Sequence, residues 1–371
     1  MFLALREVAR AKARFGLLMA AIALLVFLIL TQQALQTGLI TSFIGAIQRQ
    51  SAPVLVYSVD GERTLQGSVI TPPLEAGIGH VAGVAETGRI GQSTFTVSVN
   101  GRQQSNAALI GYERPTLGAP TPLSAGRLPS TPGEAVGSAS DFAIGDRIRV
   151  IGGAPGPVLT VVGLARDAQI NVTPTLFVSW PDYVAASKAA NPDASTILPS
   201  VIGVSPSPGI SPAELADRID DALPQADALT RAQAAAKTPG VTAIKSSFEV
   251  IFFLFALVVP LVTGLFFLII TLQKSRSLTL LRAIGAPTGV LVRALLVQVV
   301  IILGGGIIIG TLLYAPLSQL RIGSLSLRFD TTAVLEWAGL LLTLGVLSAF
   351  AAVQRVLRID PVEATTGEGG R

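Results

Sequence analysis

Apolar residues in this chain gather into four long runs, and the remainder alternates in short apolar and polar steps. Phe15 to Gln48 carries no charge, with a solid apolar core from Phe15 to Leu30. Val250 to Gln273 supplies 24 uncharged residues around Pro260, Ala294 to Leu320 supplies 27, and Trp337 to Gln354 supplies 18. A membrane-spanning helix needs about 20 mostly apolar residues, and a charge at the bilayer centre costs about 2.5–3.5 kcal/mol on the insertion scale. The runs predict four transmembrane helices, at 16–37, 248–273, 294–316 and 333–354, rather than buried core helices of a soluble protein. The first apolar core is longer than the ~7–15 residues usual in a signal peptide, and no A-x-A site follows it. It is expected to remain as an anchor.

Helical periodicity continues past the first run. Leu35, Leu39, Phe43 and Ile47 recur every fourth residue, with Ile40 and Ile44 beside them. This predicts a stalk that carries the helix out of the membrane, a tilted long span being the plainer alternative. Residues 241–249 offer a second stalk against which that seam would pack. Ahead of the first run, Ala4, Val8, Ala11 and Phe15 share one face and Arg6, Arg10 and Arg14 the other, predicting an interfacial helix over 1–15.

Residues 38–247 read as a mixed α/β domain. Short strands are predicted at Pro53–Val59, Thr94–Val99, Ala107–Tyr112, Arg147–Ile151, Val158–Leu164, Thr175–Val178 and Val201–Val204, between Gly/Pro-rich turns. Helices are predicted from Pro72 to about His80 and from Ser211 to Leu223, the latter opening on Ser211-Pro212-Ala213-Glu214 like a capping box. Turn-rich stretches at 115–133 and 191–199 suggest that 113–199 is a subdomain inserted between the halves of a smaller unit.

Composition sharpens this division. Half the residues are hydrophobic and 13% are charged, against about 25% in ordinary soluble domains. Residues 38–247 hold 14 Lys/Arg and 16 Asp/Glu, whereas the other 161 residues hold 13 and 7. Eleven of those 13 basic residues flank the runs at the N-terminus, in 274–293 and in the tail 355–371; only Arg321 and Arg328 lie in the short loop 317–332. The positive-inside bias then places both termini and the loop 274–293 in the cytoplasm and 38–247 outside. The expected fold is a membrane protein of four transmembrane α-helices with a large mixed α/β extracytoplasmic domain inserted between helices 1 and 2.

Candidate chemistry is sparse. There is no cysteine and a single histidine, His80, which excludes disulfides, thiolate metal sites and HExxH zinc sites. Asp217, Asp220 and Asp221 read as a solvated helix face. No GxxxxGK[ST] loop is present, so the chain is not itself a P-loop ATPase. The four runs lack the ionisable groups that ion-coupled carriers place in the bilayer. Gly306 and Gly310 form one small-xxx-small pair able to bring helices close. In the inner loop, Leu278, Leu281 and Ile284 fall at i, i+3 and i+6, with Gly285 placed for a C-cap and Pro287 preventing continuation. A helix that short is marginal alone and is expected to be ordered by docking on a partner.

The layout resembles the permease subunits of FtsX/MacB-type ABC transporters, also called type VII or mechanotransmission systems, including the heterocyst-glycolipid exporter type. The segment Arg276 to Ala286, R-S-L-T-L-L-R-A-I-G-A, resembles that family's motif between its second and third spans. Arg358-Ile359-Asp360-Pro361-Val362-Glu363-Ala364 resembles its C-terminal R-x-x-P-x-E-A ending. Gly133-Glu134-Ala135, Ile144-Gly145-Asp146 and Thr160-Val161-Val162-Gly163 resemble its periplasmic core. Ser277 departs from the glutamate often found after the opening arginine.

The resemblance implies a non-catalytic subunit in the cytoplasmic membrane, paired as a homodimer with a separate ATPase subunit that binds ATP and Mg. This chain would bind no cofactor, metal or nucleic acid itself; membrane lipids and an adaptor or envelope protein are the other partners implied. Coupling would run through Leu278, Leu281, Arg282, Ala283, Ile284 and Gly285, with Arg358, Pro361 and Glu363 in the tail. The implied activity is export or extraction of a lipid, lipopeptide, peptide or drug. The alternatives are activation of an extracytoplasmic cell-wall hydrolase by the same motion, and a membrane-anchored structural or sensory role without an ATPase.

Overall fold

The computed structural model describes residues 12–102, 104–273, 288–317, 321–322, 325–326 and 329–357. The chain divides into two compact units, one of residues 37–245 with 321–326, the other of residues 1–36, 246–320 and 327–371. In chain order the elements are α1 (Lys12–Arg49), β1 (Val54–Ser58), α2 (Pro72–His80), β2 (Val84–Val99), β3 (Gln104–Tyr112), β4 (Leu123–Gly126), β5 (Glu134–Ser138) and β6 (Arg147–Ile151). They continue with β7 (Val158–Ala165), β8 (Thr175–Ser179), α3 (Trp180–Ala190), β9 (Val201–Pro206), α4 (Pro212–Ala222), β10 (Ala226–Thr230) and α5 (Arg231–Lys237). The last are α6 (Val241–Gln273), α7 (Thr288–Leu317), the two-residue strands β11 (Arg321–Ile322) and β12 (Leu325–Ser326), and α8 (Thr331–Leu357).

The α/β domain is one sheet in the order β10-β1-β9-β2-β3-β8-β5-β7-β4, with β6 pairing β2 and β7. Among the described strand pairs, β3–β8 and β5–β7 are parallel and the rest antiparallel. The 16-residue β2 is its spine: on one edge it pairs with β3, and on the other with β9 at its start and β6 at its end. Alternation of side chains across the sheet gives β1 two buried faces. Leu55 and Tyr57 enter a core with Ile44, Ala46 and Ile47 of α1, while Val54 and Val56 enter another with Ile78, Leu215 and Ile219 of α2 and α4. That explains the uninterrupted apolar run of the strand.

Residues 113–199 do not form a separate subdomain. Their strands make one end of the same sheet, and Ala135, Ile148, Val161 and Val178 share a core with Phe95, Val97, Ala107 and Leu109 of the β2–β3 hairpin. A hairpin that serves both halves removes the boundary expected at 113. The capping box expected at Ser211 is half made: Ser211 Oγ accepts from Glu214 N–H at 3.2 Å, but the Glu214 carboxylate takes Arg218 at 2.7 Å, one turn on. A complete box stands at Thr230 and Gln233 instead.

Among the described residues, four helices are long and apolar enough to cross a membrane, at Phe15–Arg49, Val241–Leu265, Leu296–Leu317 and Thr331–Ala351. Phe15, Leu18, Ile22, Val26 and Ile29 of α1 pack in one cluster with Val259 of α6, Val299, Ile302 and Leu303 of α7, and Leu341 and Ala349 of α8. Helices come closest where side chains are absent. A Cβ on Gly310 would lie 2.6 Å from the Ala23 carbonyl oxygen and 2.7 Å from Val26 Cβ, and one on Gly306 2.5 Å from Ile22 Cγ2. The pair noted in the sequence therefore seats α7 on α1. Across α6 and α8, Ser348 Oγ donates to the Pro260 carbonyl at 2.5 Å, and the Phe252 and Trp337 rings lie 5.1 Å apart.

Candidate transmission site

The last turns of α1 carry the clearest functional geometry in the α/β domain. Loop residues 167–172, between β7 and β8, lie directly against them. Ala46 N–H donates to the Gln169 carbonyl at 2.8 Å, while the Phe43 and Ser42 carbonyls accept from Asn171 and Val172 N–H, each at 2.9 Å. A helix-interior N–H ordinarily points along the axis to the carbonyl four residues back, so an interior donor that also reaches a loop carbonyl is unusual. Gly45 makes the approach feasible: a Cβ there would lie 2.1 Å from the Asp167 carbonyl oxygen. Arg49 Nη2 reaches Asp167 Oδ2 at 3.4 Å, an outer ion pair of small energetic weight.

Beside this junction lies a cavity of about 160 Å³ lined in part by Phe43, Ile47, Leu65, Ile170, Asn171 and Gln92. Gln92 sits on β2, is 2% exposed, and neither its Nε2 nor its Oε1 has a hydrogen-bond partner. A buried amide with both ends unmatched is uncommon and costly. Tyr57, on the same sheet face, is also buried with an unpartnered hydroxyl; burial first, and the Asp227 charge second, push that phenol up. Burial pushes Tyr112 up to about 12.

The residues singled out from sequence fall in several places. Leu35 packs against the membrane-helix cluster and Leu39 is half-buried; Phe43 packs on the edge of the sheet core that includes Ile47. Phe43 also lies near Gly240, just before α6, where a Cβ would meet its ring at 3.6 Å. The residues of α1 most deeply buried in the sheet core are Ile44, Ala46 and Ile47. The residues expected to couple, Leu278, Leu281, Arg282, Ala283, Ile284 and Gly285, the tail residues Arg358, Pro361 and Glu363, and positions 1–11 of the expected interfacial helix lie outside the described residues.

His80 is exposed, with Nδ1 2.6 Å from the Ala76 carbonyl oxygen. Asp217 and Asp221 face solvent, while Asp220 accepts from Ala228 N–H at 2.6 Å. Among the described residues, no three His, Cys, Asp or Glu side chains converge as a metal site. Gly45, Gln92 and the 167–172 loop carry no motif that marks them in the sequence. The available signal was a glycine within a helical run, followed far along the chain by Asp167 and Asn171, residue types suited to positive φ.

Residues 249–361, which take in most of α6 and all of α7 and α8, match the FtsX-like permease C-terminal model. This stretch is thus similar to the FtsX-like permeases. HrtB of Staphylococcus haemolyticus (strain JCSC1435), named as a permease protein of a hemin transport system, is 28% identical over 110 residues, 30% of this chain and 31% of HrtB. HrtB of Staphylococcus epidermidis (strain ATCC 35984 / DSM 28319 / BCRC 17069 / CCUG 31568 / BM 3577 / RP62A) is 25% identical over 111 residues, 30% of this chain and 32% of its own. The chain thus spans about a third of the length of the curated relatives it matches. The periplasmic region of MacB from Actinobacillus actinomycetemcomitans is similar at TM-score 0.35 and 12% identity, over 54% of this chain and 94% of that one. The extracellular domain of the ABC-type transporter YknZ from Gram-positive bacteria is similar at TM-score 0.31 and 13% identity, over 48% and 98%.

Proposed function

We propose that this chain is an FtsX/MacB-type permease, the non-catalytic subunit of an ABC transporter driven by a separate ATPase that holds ATP and Mg. The observation that carries the reading is the FtsX-like domain over 249–361, joined to an α/β domain by the two long helices α1 and α6. Both termini and the 274–293 loop would face the cytoplasm. Two copies would pair in the cytoplasmic membrane, and motion received at Leu278–Gly285 would pass through α6 and α1 to the α/β domain, exporting or extracting a lipid, lipopeptide, peptide or drug. The apolar stripe of Val250, Phe253, Leu257, Leu261 and Leu265 on α6 is exposed and suits lipid or a second copy.

The test is co-purification with an ABC ATPase subunit co-expressed from the same genome, followed by ATPase and transport assays in proteoliposomes. Leu281→Asp is expected to abolish co-purification or ATPase stimulation while membrane insertion survives. Arg282→Glu should weaken the contact less, since an exposed ion pair is worth about 0–1 kcal/mol. A fully coupled complex with Leu281→Asp would overturn the proposed route of energy entry.

A further inference from the structure

We propose that residues 167–172 are a two-position latch on α1, closed in this structure, with the cavity at Gln92 as the space into which the released turn moves. Three features point there. The grip is made of backbone groups: Ala46 to Gln169, Asn171 to Phe43 and Val172 to Ser42. These bonds fall within little more than one helical turn, so they form and break together.

The closed position also holds the loop under strain. Asp167, Asn171 and Val172 all have positive φ, at 55°, 52° and 57°. Asp and Asn tolerate that region; a β-branched valine does not. The conformation is sustained by what it holds, and release relaxes it.

The cavity supplies the other side of the balance. Phe43 and Ile47 of α1 line it together with Asn171 of the latch and the unmatched Gln92 amide. The Asn171 side-chain amide, separate from the main-chain N–H that holds the Phe43 carbonyl, has the donor and acceptor that Gln92 lacks, and a shift of the loop would bring the two together. Closed, the molecule keeps three backbone bonds and leaves Gln92 orphaned; open, it exchanges those bonds for relaxed backbone and a paired amide. Because α1 is a single helix from Lys12 to Arg49, an axial shift along it arrives at this turn. What drives that shift rests on the permease reading above, but the latch does not.

The experiment is residue-resolved hydrogen exchange on the purified full-length chain in nanodiscs, without ATPase. Ala46, Asn171 and Val172 amides are followed against Phe95 and Leu109 of the β2–β3 hairpin. In the parent the three should exchange at a common rate, faster than the hairpin. Gly45→Ala, which helices favour but which collides with the Asp167 carbonyl, should speed all three at least tenfold and leave the hairpin unchanged. Val172→Gly, which accepts positive φ freely, should slow them several-fold. Unchanged protection in Gly45→Ala, unrelated rates for the three amides in the parent, or faster exchange in Val172→Gly would each overturn the latch. Should Gly45→Ala unfold the hairpin as well, Val172→Gly decides alone. A latch that behaves so in the isolated chain but ignores nucleotide in the assembled complex would overturn the permease reading and leave the latch standing.

Discussion

Glu134 is a heavily engaged carboxylate of the α/β domain. It accepts from Arg127 Nη1 at 2.7 Å and from Nη2, and also from Ser130 N–H at 2.9 Å and Thr131 N–H at 3.3 Å. The Arg127 bond first, then Ser130 N–H, holds its carboxyl far below the usual range. A depressed pKa adds stability above the unfolded value and loses it as pH falls through the folded one. Glu134→Gln is therefore expected to lower the thermal midpoint at pH 7, with the gap to the parent closing below about pH 4. A gap constant from pH 7 to the acid limb would show that the charge contributes nothing. Asp220 has the opposite sign. Partial burial first, with Asp227 and Asp217 adding to it, raises its pKa. Its contribution is present below the unfolded pKa and lost as pH rises through the folded one. Asp220→Asn keeps an acceptor for Ala228 N–H and sheds the charge, so it should raise the midpoint at pH 7 and not at low pH.

At the scale of elements, short helices depend on their ends and long ones on their faces. α5 has seven residues and buries little beyond Ala234 and Ala235. Its start is held by Thr230 Oγ1 accepting from Gln233 N–H at 3.3 Å and Gln233 Oε1 accepting from Thr230 N–H at 3.0 Å. Thr230→Ala should cost about 0.5–2 kcal/mol in urea unfolding of the α/β domain. On α7 the glycines divide by what they face. Gly310→Val forces a side chain against Ala23 and Val26 and should destabilise by about 1–3 kcal/mol, read as a lower melting temperature in detergent. A Cβ on Gly304 would meet nothing within 4 Å, so Gly304→Ala should leave the melting temperature unchanged. Equal effects would place the contact between α1 and α7 elsewhere. The elements hard to read in advance share a cause: β5 (E-A-V-G-S), β10 (A-D-A-L-T) and α5 (R-A-Q-A-A-A-K) are built from small residues with weak periodicity. Their partners, not their own patterns, hold them.

At the scale of the whole molecule, topology and transmission can be tested on a background without native cysteine. Ser195 is exposed in the α/β domain. Ser195→Cys should react with an impermeant maleimide in intact cells and Ser277→Cys should not; the reverse would invert the proposed orientation. Phe43→Asp should uncouple transport from ATP hydrolysis while ATPase association persists. It removes an apolar contact of about 1.5–3 kcal/mol at the rim of the cavity. Normal transport with Asp at 43 would remove this turn of α1 from the transmission path.

The four apolar runs, the α/β class of 38–247 and the glycine pair of α7 were legible in the chain itself. Hydrophobicity over 20 residues and alternation over five are local quantities, and the bilayer and the sheet act on them locally. Tertiary structure decided what depends on residues far apart. The long β2 joins what looked like a subdomain and its host, because a strand's two edges can serve two partners. Glu214 turns to Arg218 because an oppositely charged side chain lies one turn away. The grip of 167–172 on Ser42–Ala46 joins segments more than 120 residues apart through backbone groups, which every residue type except proline carries alike. No side-chain pattern can announce a bond made by the main chain.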